Sequence, residues 1–243
     1  MNEERVYVVL PARNEAARVG EVIGGVRRVL PGGRIVVVDD ASRDATSTAA
    51  AEAGADLLRH PFHLGYGGAL QTGYRYAARN GAQAVVQLDA DGQHDPASIP
   101  DLLQALRADG LDLVLGSRFR AGRASYELSP LRRLGMSALR AMTKRLLRQP
   151  ITDPTSGYQA LSGRLARFYA DWDGFPADAP DADVLVWVAR SGYRIGEVPV
   201  RMHARSGGRS MHAGWEPLGY AFKMTLALAV SASRPARDRT QGD

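Results

Sequence analysis

Two carboxylates one residue apart stand at the end of an apolar run in Val85–Pro96, VVQLDADGQHDP: Asp89 and Asp91, followed by Gly92, Gln93 and His94. A strand that delivers such a pair into a glycine turn presents hard oxygen ligands at the carboxyl end of a sheet. Mg2+ or Mn2+ holding a diphosphate needs a few carboxylates, with phosphate oxygens of the substrate completing the shell. A strand closing in a solvated Asp-Gly turn carries the same residue types, so the weight rests on what accompanies the pair.

Three further clusters accompany it. Pro11-Ala12-Arg13-Asn14-Glu15 follows the first apolar run, and Glu15 there either addresses a base or ribose or belongs to a strand end and helix cap. Asp39-Asp40-x-Ser42-x-Asp44-x-Thr46 follows the second. Asp39 or Asp40 can accept from a base N–H and from ribose hydroxyls, while Asp44 is placed to cap the next helix. Gly65-Tyr66-Gly67-Gly68-Ala69 opens a helix, where glycines allow close backbone approach to a diphosphate.

The elements that must position these residues alternate. Strands are predicted at Val6–Leu10, broken by Pro11, and at Arg34–Val38, Asp56–Arg59, Ala84–Leu88 and Asp112–Leu115. Helices are predicted at Glu15–Leu30, Thr46–Gly54, Gly68–Asn80 and Pro96–Asp109, from helical apolar spacing and Pro-Gly stops. Continuous apolar strands alternating with helices imply an α/β fold with a mostly parallel, two-sided central sheet. Ligands of such sheets bind beyond the strands' carboxyl ends, where both Asp pairs fall. After Arg118 the rhythm changes: helices at Ser129–Leu147, Arg164–Trp172 and Asp183–Ser191, strands at Tyr158–Ser162 and Tyr193–Val200, and a helix at Trp215–Val230. Asp183 reads as a cap of its helix before it reads as a base.

At 243 residues, with 45% hydrophobic and 23% charged residues, the composition is that of a soluble globular protein. Cysteine is absent, which excludes disulfides and thiolate metal sites. Neither a secretion signal nor an apolar run long enough to span a bilayer is expected. The net charge of +5 is unevenly spread. Nine basic residues and one acid, Glu127, lie between Arg118 and Arg148, whereas Asp171–Asp183 holds five aspartates and no base. Such polarity suggests a positively charged face with a function.

Together, PARNE, VVVDDASRDAT, GYGGAL, QLDADGQHDP and GSRF, each at a strand or helix end, resemble the family 2 glycosyltransferases with a GT-A fold. Within them the chain is similar to the dolichol- or polyprenol-phosphate hexosyltransferases of the dolichyl-phosphate mannosyltransferase type. The resemblance covers roughly residues 5 to 212 on a motif reading. It implies a nucleotide-diphospho-sugar transferase that moves a hexose, with inversion, from GDP-mannose or UDP-glucose to a polyprenyl phosphate, using Mg2+ or Mn2+. It implies Pro11, Ala12, Arg13, Glu15, Asp39, Asp40, Gly67, Asp89, Ala90 and Asp91 as the nucleotide-sugar site. Asp89, Asp91 and Gln93 would surround the metal, and Asp89, Asp91 and Arg118 would carry the chemistry. Gly116-Ser117-Arg118, Arg133-x-x-x-Ser137, Asp153-Pro154-Thr155-Ser156-Gly157-Tyr158 and Glu197-Val198-Pro199-Val200 followed by Arg205-x-x-Gly208-x-Ser210 match further family motifs. They imply Arg118, Arg133, Ser137 and Arg205 as a cage for the acceptor phosphate. Several guanidinium forks suit that task, because arginine binds phosphate bidentately and keeps its charge.

Departures from the family pattern are confined to the weak glycine match at Gly122–Tyr126 and to Met211 and His212, where a lysine often follows the serine. The expected organisation is a GT-A domain at residues 1–212, with a nucleotide-sugar half at 1–117 and an acceptor half at 118–212. A C-terminal helix at 213–231 and a disordered tail at 232–243 follow. The leucine and arginine faces of the 129–147 helix, like the tail helix, suit a headgroup layer, with Arg140, Lys144 and Arg148 facing solvent or anionic lipid. The expectation is a cytoplasmic enzyme, peripheral at the inner face of the membrane, with a possible small membrane-protein partner. Transfer to a soluble or polysaccharide acceptor, and a non-catalytic sugar-nucleotide-binding subunit, are the alternatives. No nucleic-acid module accompanies the basic helix.

Overall fold

The computed structural model describes residues 5–120, 140, 143–145, 151–178, 180 and 182–203. Seven strands form one sheet: β1 (Val6–Ala12), β2 (Arg34–Asp39), β3 (Asp56–Arg59), β4 (Ala84–Gln87), β5 (Leu113–Ser117), β6 (Gln159–Ser162) and β7 (Ile195–Pro199). The helices are α1 (Val19–Val29), α2 (Thr46–Glu52), α3 (Tyr66–Arg79), α4 (Ile99–Ala108, entered through a 3-10 turn at Pro96–Ser98), α5 (Gly163–Asp171) and α6 (Ala182–Arg190). The spatial order is β3-β2-β1-β4-β6-β5-β7.

The sheet is buried on both faces, which is why its central strands read as unbroken apolar runs. In β1, Tyr7 and Val9 enter one core with Leu70, Tyr74 and Leu165. Val6, Val8, Leu10 and Ala12 enter the other with Ile23, Leu102 and Leu106. All pairings are parallel except those of β6, which runs antiparallel between β4 and β5. At four residues β6 is too short to declare its direction, and the mostly parallel expectation stands with that one reversal.

Pro11 does not break β1 as expected: it pairs with Val38 inside the strand. The carbonyl of Ala12 accepts from Asp40 on the β2 side and that of Val9 from Leu88 on the β4 side. By alternation the missing N–H of Pro11 points toward β4, whose pairing with β1 ends at Val9–Gln87. No ladder bond is lost there. Helix α1 starts at Val19, later than the predicted Glu15, because residues 15–18 form a turn closed by the Glu15 carbonyl. The predicted helices at 129–147 and 215–230 fall largely or wholly outside the described residues. Of the former, Arg140 and residues 143–145 are helical. Among the described residues no helix is long and apolar enough to cross a membrane.

Candidate active site

The ends of β1 and β2 are stitched by the alternating polar residues of the second motif. Three successive amides, of Asn14, Glu15 and Ala16, donate to Ser42 Oγ (2.9 Å), Thr46 Oγ1 (2.9 Å) and Asp44 Oδ2 (3.2 Å). The Arg43 amide returns a bond to Asn14 Oδ1 at 2.9 Å. The x-Ser-x-Asp-x-Thr spacing thus supplies one acceptor for each exposed amide of the turn after β1, where Asn14 takes a left-handed φ of 57°. Asp44 also accepts from the Thr46 amide at 3.0 Å, but the N-cap of α2 is Ala45, which has no side-chain cap, so Asp44 stands one residue before the cap expected of it. Pro11 and Ala12 are buried at the strand end, and Arg13 is exposed with Nη1 3.1 Å from His63 Nε2. The Glu15 carboxylate receives Arg18 at 2.9 Å.

Asp39 and Asp40 are both buried and bonded within the fold. Asp39 accepts from the Ser42 amide at 2.8 Å and from the Ser47 hydroxyl. Asp40 shapes the loop that leads into α3. It accepts from the amides of Leu64 (2.8 Å) and Gly65 (3.0 Å) and pairs with Nδ1 of His60 (2.8 Å) and of His63. Burial pushes the Asp40 carboxyl up, but the Leu64 amide and the two imidazoles outweigh it and hold the pKa below the ordinary range. A depressed folded-state pKa stabilises the fold above the unfolded carboxylate value, about 3.9. That stabilisation is lost as pH falls through the folded value. Asp40→Asn is therefore expected to cost about 2 kcal/mol at pH 7. In denaturant titrations its difference from the parent should shrink once the pH drops below about 4.

The glycines of the third motif approach the chain's own backbone. A Cβ on Gly67 would lie 1.9 Å from the Pro176 carbonyl oxygen, and one on Gly65 (φ 92°) 2.6 Å from that of Ala177. The Gly68 amide donates to the Ala177 carbonyl at 3.1 Å. The segment after α5 therefore lies directly on the start of α3.

Asp89 and Asp91 follow β4 and are both partly exposed, with Ala90 buried between them. The Gln93 amide donates to Asp91 Oδ1 at 3.0 Å and the Tyr66 hydroxyl to Asp89 Oδ1 at 2.8 Å. Burial, then the charge of Asp89, push the Tyr66 phenol well above its ordinary value, so it stays a donor. The turn is pinned from behind by residues beyond β7: His94 bridges Met202 and the His203 amide donates to the Gln93 carbonyl at 2.8 Å. Among the described residues no three Asp, Glu, His or Cys side chains gather around one point. Two carboxylates and a glutamine amide oxygen are hard donors that fit Mg2+ or Mn2+, provided that substrate phosphates supply further oxygens.

The motifs expected on the acceptor side converge at the end of β5. Arg118 meets the fully buried Asp153 through Nε (2.7 Å) and Nη2 (2.8 Å), and its amide adds a third bond at 3.1 Å. Glu197 on β7 accepts from the amides of Thr152 and Asp153 at 2.8–3.0 Å. Ser156 Oγ donates to the Gly116 carbonyl at 2.6 Å. GSR, D-x-x-S-G and EVPV are thus parts of one loop anchor. Arg140, expected to face solvent or lipid, instead donates to the Thr152 carbonyl at 2.6 Å and stacks 4.2 Å from the centre of the Phe119 ring. Lys144 is exposed, as expected. Arg133, Ser137, Arg148 and Arg205 lie outside the described residues. Asp183 sits in the first turn of α6. Sequence reasoning missed His60, His63 and Tyr66 as site builders. The histidines bracket an aspartate some twenty residues earlier in the chain, a relation that no local spacing reveals.

The profile of the family described as Glycosyl transferase family 2 matches residues 7–175, from β1 past α5. The chain belongs to glycosyl transferase family 2. This family 2 glycosyltransferase is similar to the undecaprenyl-phosphate mannosyltransferase of Micrococcus luteus, 32% identical over 217 residues, 86% of this chain and 88% of that one. It is similar also to the polyprenol monophosphomannose synthase of Mycolicibacterium smegmatis, 33% identical over 98% of this chain and 91% of that one. Among solved structures, the glucosyl-3-phosphoglycerate synthase of Mycobacterium tuberculosis in complex with Mn2+, UDP-glucose and phosphoglyceric acid aligns with a TM-score of 0.64. That match has 25% identity and covers 96% of this chain and 81% of that one. The glycosyltransferase has the GT-A fold expected from its motifs.

Proposed function

We propose that this glycosyltransferase moves a hexose, with inversion, from a nucleotide-sugar of the GDP-mannose or UDP-glucose type to a polyprenyl phosphate. The observation that carries this reading is the end-to-end similarity to a polyprenol monophosphomannose synthase, across 98% of the chain. A soluble phosphorylated acceptor, as in the phosphoglycerate synthase complex, is favoured less: that similarity is 25% against 33%.

The residues account for the chemistry as follows. Pro11 and Ala12 at the end of β1, Arg13 and Glu15 in the turn after it, Asp39 and Asp40 at the end of β2 and Gly67 in the first turn of α3 would receive the nucleoside and diphosphate. Asp89, Asp91 and Gln93 would hold Mg2+ or Mn2+, which when bound neutralises charge on a leaving diphosphate. Arg118, with Arg133, Ser137 and Arg205, would bind the acceptor phosphate and align it with the donor. A phosphate monoester is mostly dianionic near neutral pH, so its oxygen attacks the anomeric carbon without a strong base. The new C–O bond forms as the bond to the diphosphate oxygen breaks, and the electron pair leaves with the diphosphate. A lipid-linked acceptor would bring the enzyme to a membrane surface.

The test is a transfer assay on purified protein with Mg2+ or Mn2+. It offers GDP-mannose, UDP-glucose and UDP-GlcNAc in turn against a polyprenyl phosphate and against phosphoglyceric acid. The expected result is an extractable glycolipid from one donor. Arg133→Ala should lose that product while retaining donor binding. A soluble glycosylated product with no glycolipid would overturn the lipid acceptor and leave the donor site in place.

A further inference from the structure

Asp89 is bonded through its carboxylate on one side and through its backbone amide on the other, in each case by the chain's own groups. On one side the Tyr66 hydroxyl donates to Oδ1 at 2.8 Å. That hydroxyl accepts in turn from Gln87 Nε2 at 3.2 Å, and Gln87 Oε1 accepts from the Tyr74 hydroxyl. Gln87 and Tyr74 are both buried, so the phenol is fixed from within. On the other side stands His94, 5% exposed. The Asp89 amide donates to its Nδ1 at 3.0 Å, which places the proton of the neutral ring on Nε2. Nε2 lies 3.8 Å from Asp89 Oδ2. The imidazole stacks on Tyr158 with centroids 4.9 Å apart and planes 20° from parallel. The Tyr158 hydroxyl is itself tied to the Asp95 carbonyl at 2.9 Å. Gly157 closes the arrangement: a Cβ there would sit 2.9 Å from the Tyr66 oxygen and 3.7 Å from both Asp89 Oδ2 and His94 Cε1.

We propose that Tyr66 and His94 are positioning residues that fix the rotamer of Asp89 before any ligand arrives. The assignment rests on the reading of Asp89 and Asp91 as the cation's carboxylates. Its physical basis is ordering. An unbraced carboxylate loses rotamer freedom when it takes a metal, whereas a braced one has lost it on folding. Groups that orient a metal ligand from behind raise metal affinity on this account, and removing one typically weakens binding by about ten- to a hundredfold. The GYGGA motif then has a second task besides its glycines: the tyrosine in it reaches the carboxylate 23 residues on. The D-x-D-x-x-H spacing has its own task, returning an imidazole onto the first aspartate's amide.

The experiment titrates Mn2+ into purified protein with UDP or GDP present and reads free Mn2+ by electron paramagnetic resonance. Tyr66→Phe keeps the ring and removes the hydroxyl. His94→Asn retains an acceptor for the Asp89 amide and removes Nε2. Thermal unfolding establishes that each variant is folded at the titration temperature, and if His94→Asn does not fold, Tyr66→Phe decides alone. The expected result is a Kd for Mn2+ about tenfold or more weaker in Tyr66→Phe. Asp91→Asn, titrated alongside, separates the two claims. If Asp91→Asn weakens Mn2+ binding and Tyr66→Phe leaves it within about twofold of the parent, the positioning role is overturned and the carboxylate site survives. If neither variant moves the Kd, the carboxylate reading falls, and this proposal with it.

Discussion

Asp91→Asn is expected to lower sugar transfer at least about a thousandfold, roughly 4 kcal/mol of transition-state stabilisation, while the protein remains folded. The reaction brings a phosphate dianion toward a donor whose diphosphate is also anionic. A site that assists it must supply countercharge, and on the function proposed above the carboxylate pair would recruit that charge as a divalent cation. Asparagine removes one of the two negative charges but keeps size and an amide oxygen. That oxygen can still accept the Gln93 amide bond that Asp91 Oδ1 makes at 3.0 Å. Asp91 is partly exposed rather than packed into either core, and substitutions outside cores and buried networks usually move stability by no more than about 0.5 kcal/mol. The measurement is kcat/KM for glycolipid formation alongside Tm. A thousandfold loss at constant Tm fits the reading. Activity retained within about tenfold would remove Asp91 from the chemistry.

The features legible in the sequence were those encoded within a few residues. Val6–Leu10 and Arg34–Val38 announce buried parallel strands because both of their faces are apolar. The carboxyl-end position of Asp89 and Asp91 follows from the strand that precedes them. The family motifs identified the fold because their order repeats a known succession of strand ends. What escaped depends on partners far apart in the chain. Asp40, expected at the nucleoside, has a further task that its neighbours in sequence do not announce. In the structure its oxygens serve His60, His63 and two loop amides. Arg118 looked like a phosphate ligand, yet its guanidinium also spans 35 residues to Asp153, which Glu197 holds through its amide. That pairing makes GSR, D-x-x-S-G and EVPV a single anchor, a relation visible only once β5, β6 and β7 are side by side. The reversal of β6 escaped for a different reason: four residues buried on both sides carry no directional pattern.

Gly67 shows how far one motif residue can be pulled between two explanations, and Gly67→Ala separates them. In the sequence, glycine at the head of a helix suggests room for a diphosphate against bare backbone. In the structure the Cβ of an alanine would fall 1.9 Å from the Pro176 oxygen and 2.9 Å from that of Ala177. Neither is the flexible end of a side chain. The segment cannot easily retreat, because Phe175 beside it is wedged among Tyr74, Tyr169 and Trp172 with ring centroids 5.2–6.0 Å apart. Helix α3 cannot retreat either, since at Gly73 it packs so closely on β1 that an added Cβ would meet Val9 at 2.3 Å. Gly67→Ala should therefore destabilise the ligand-free protein by about 3 kcal/mol, the upper part of the usual range for overpacking. For a chain of this length each kcal/mol lowers Tm by roughly 2–4 °C. Gly20→Ala in α1, where a Cβ meets nothing within 4 Å, should gain up to about 1 kcal/mol from helix propensity and so controls for the alanine itself. Both are read by thermal unfolding without nucleotide. A Gly67→Ala protein that keeps its Tm yet binds UDP or GDP more weakly would mean that the glycine is there for the diphosphate. A protein that loses Tm before any ligand is added means that the motif glycine first serves the contact between α3 and residues 176–177. The donor site is then built on that contact.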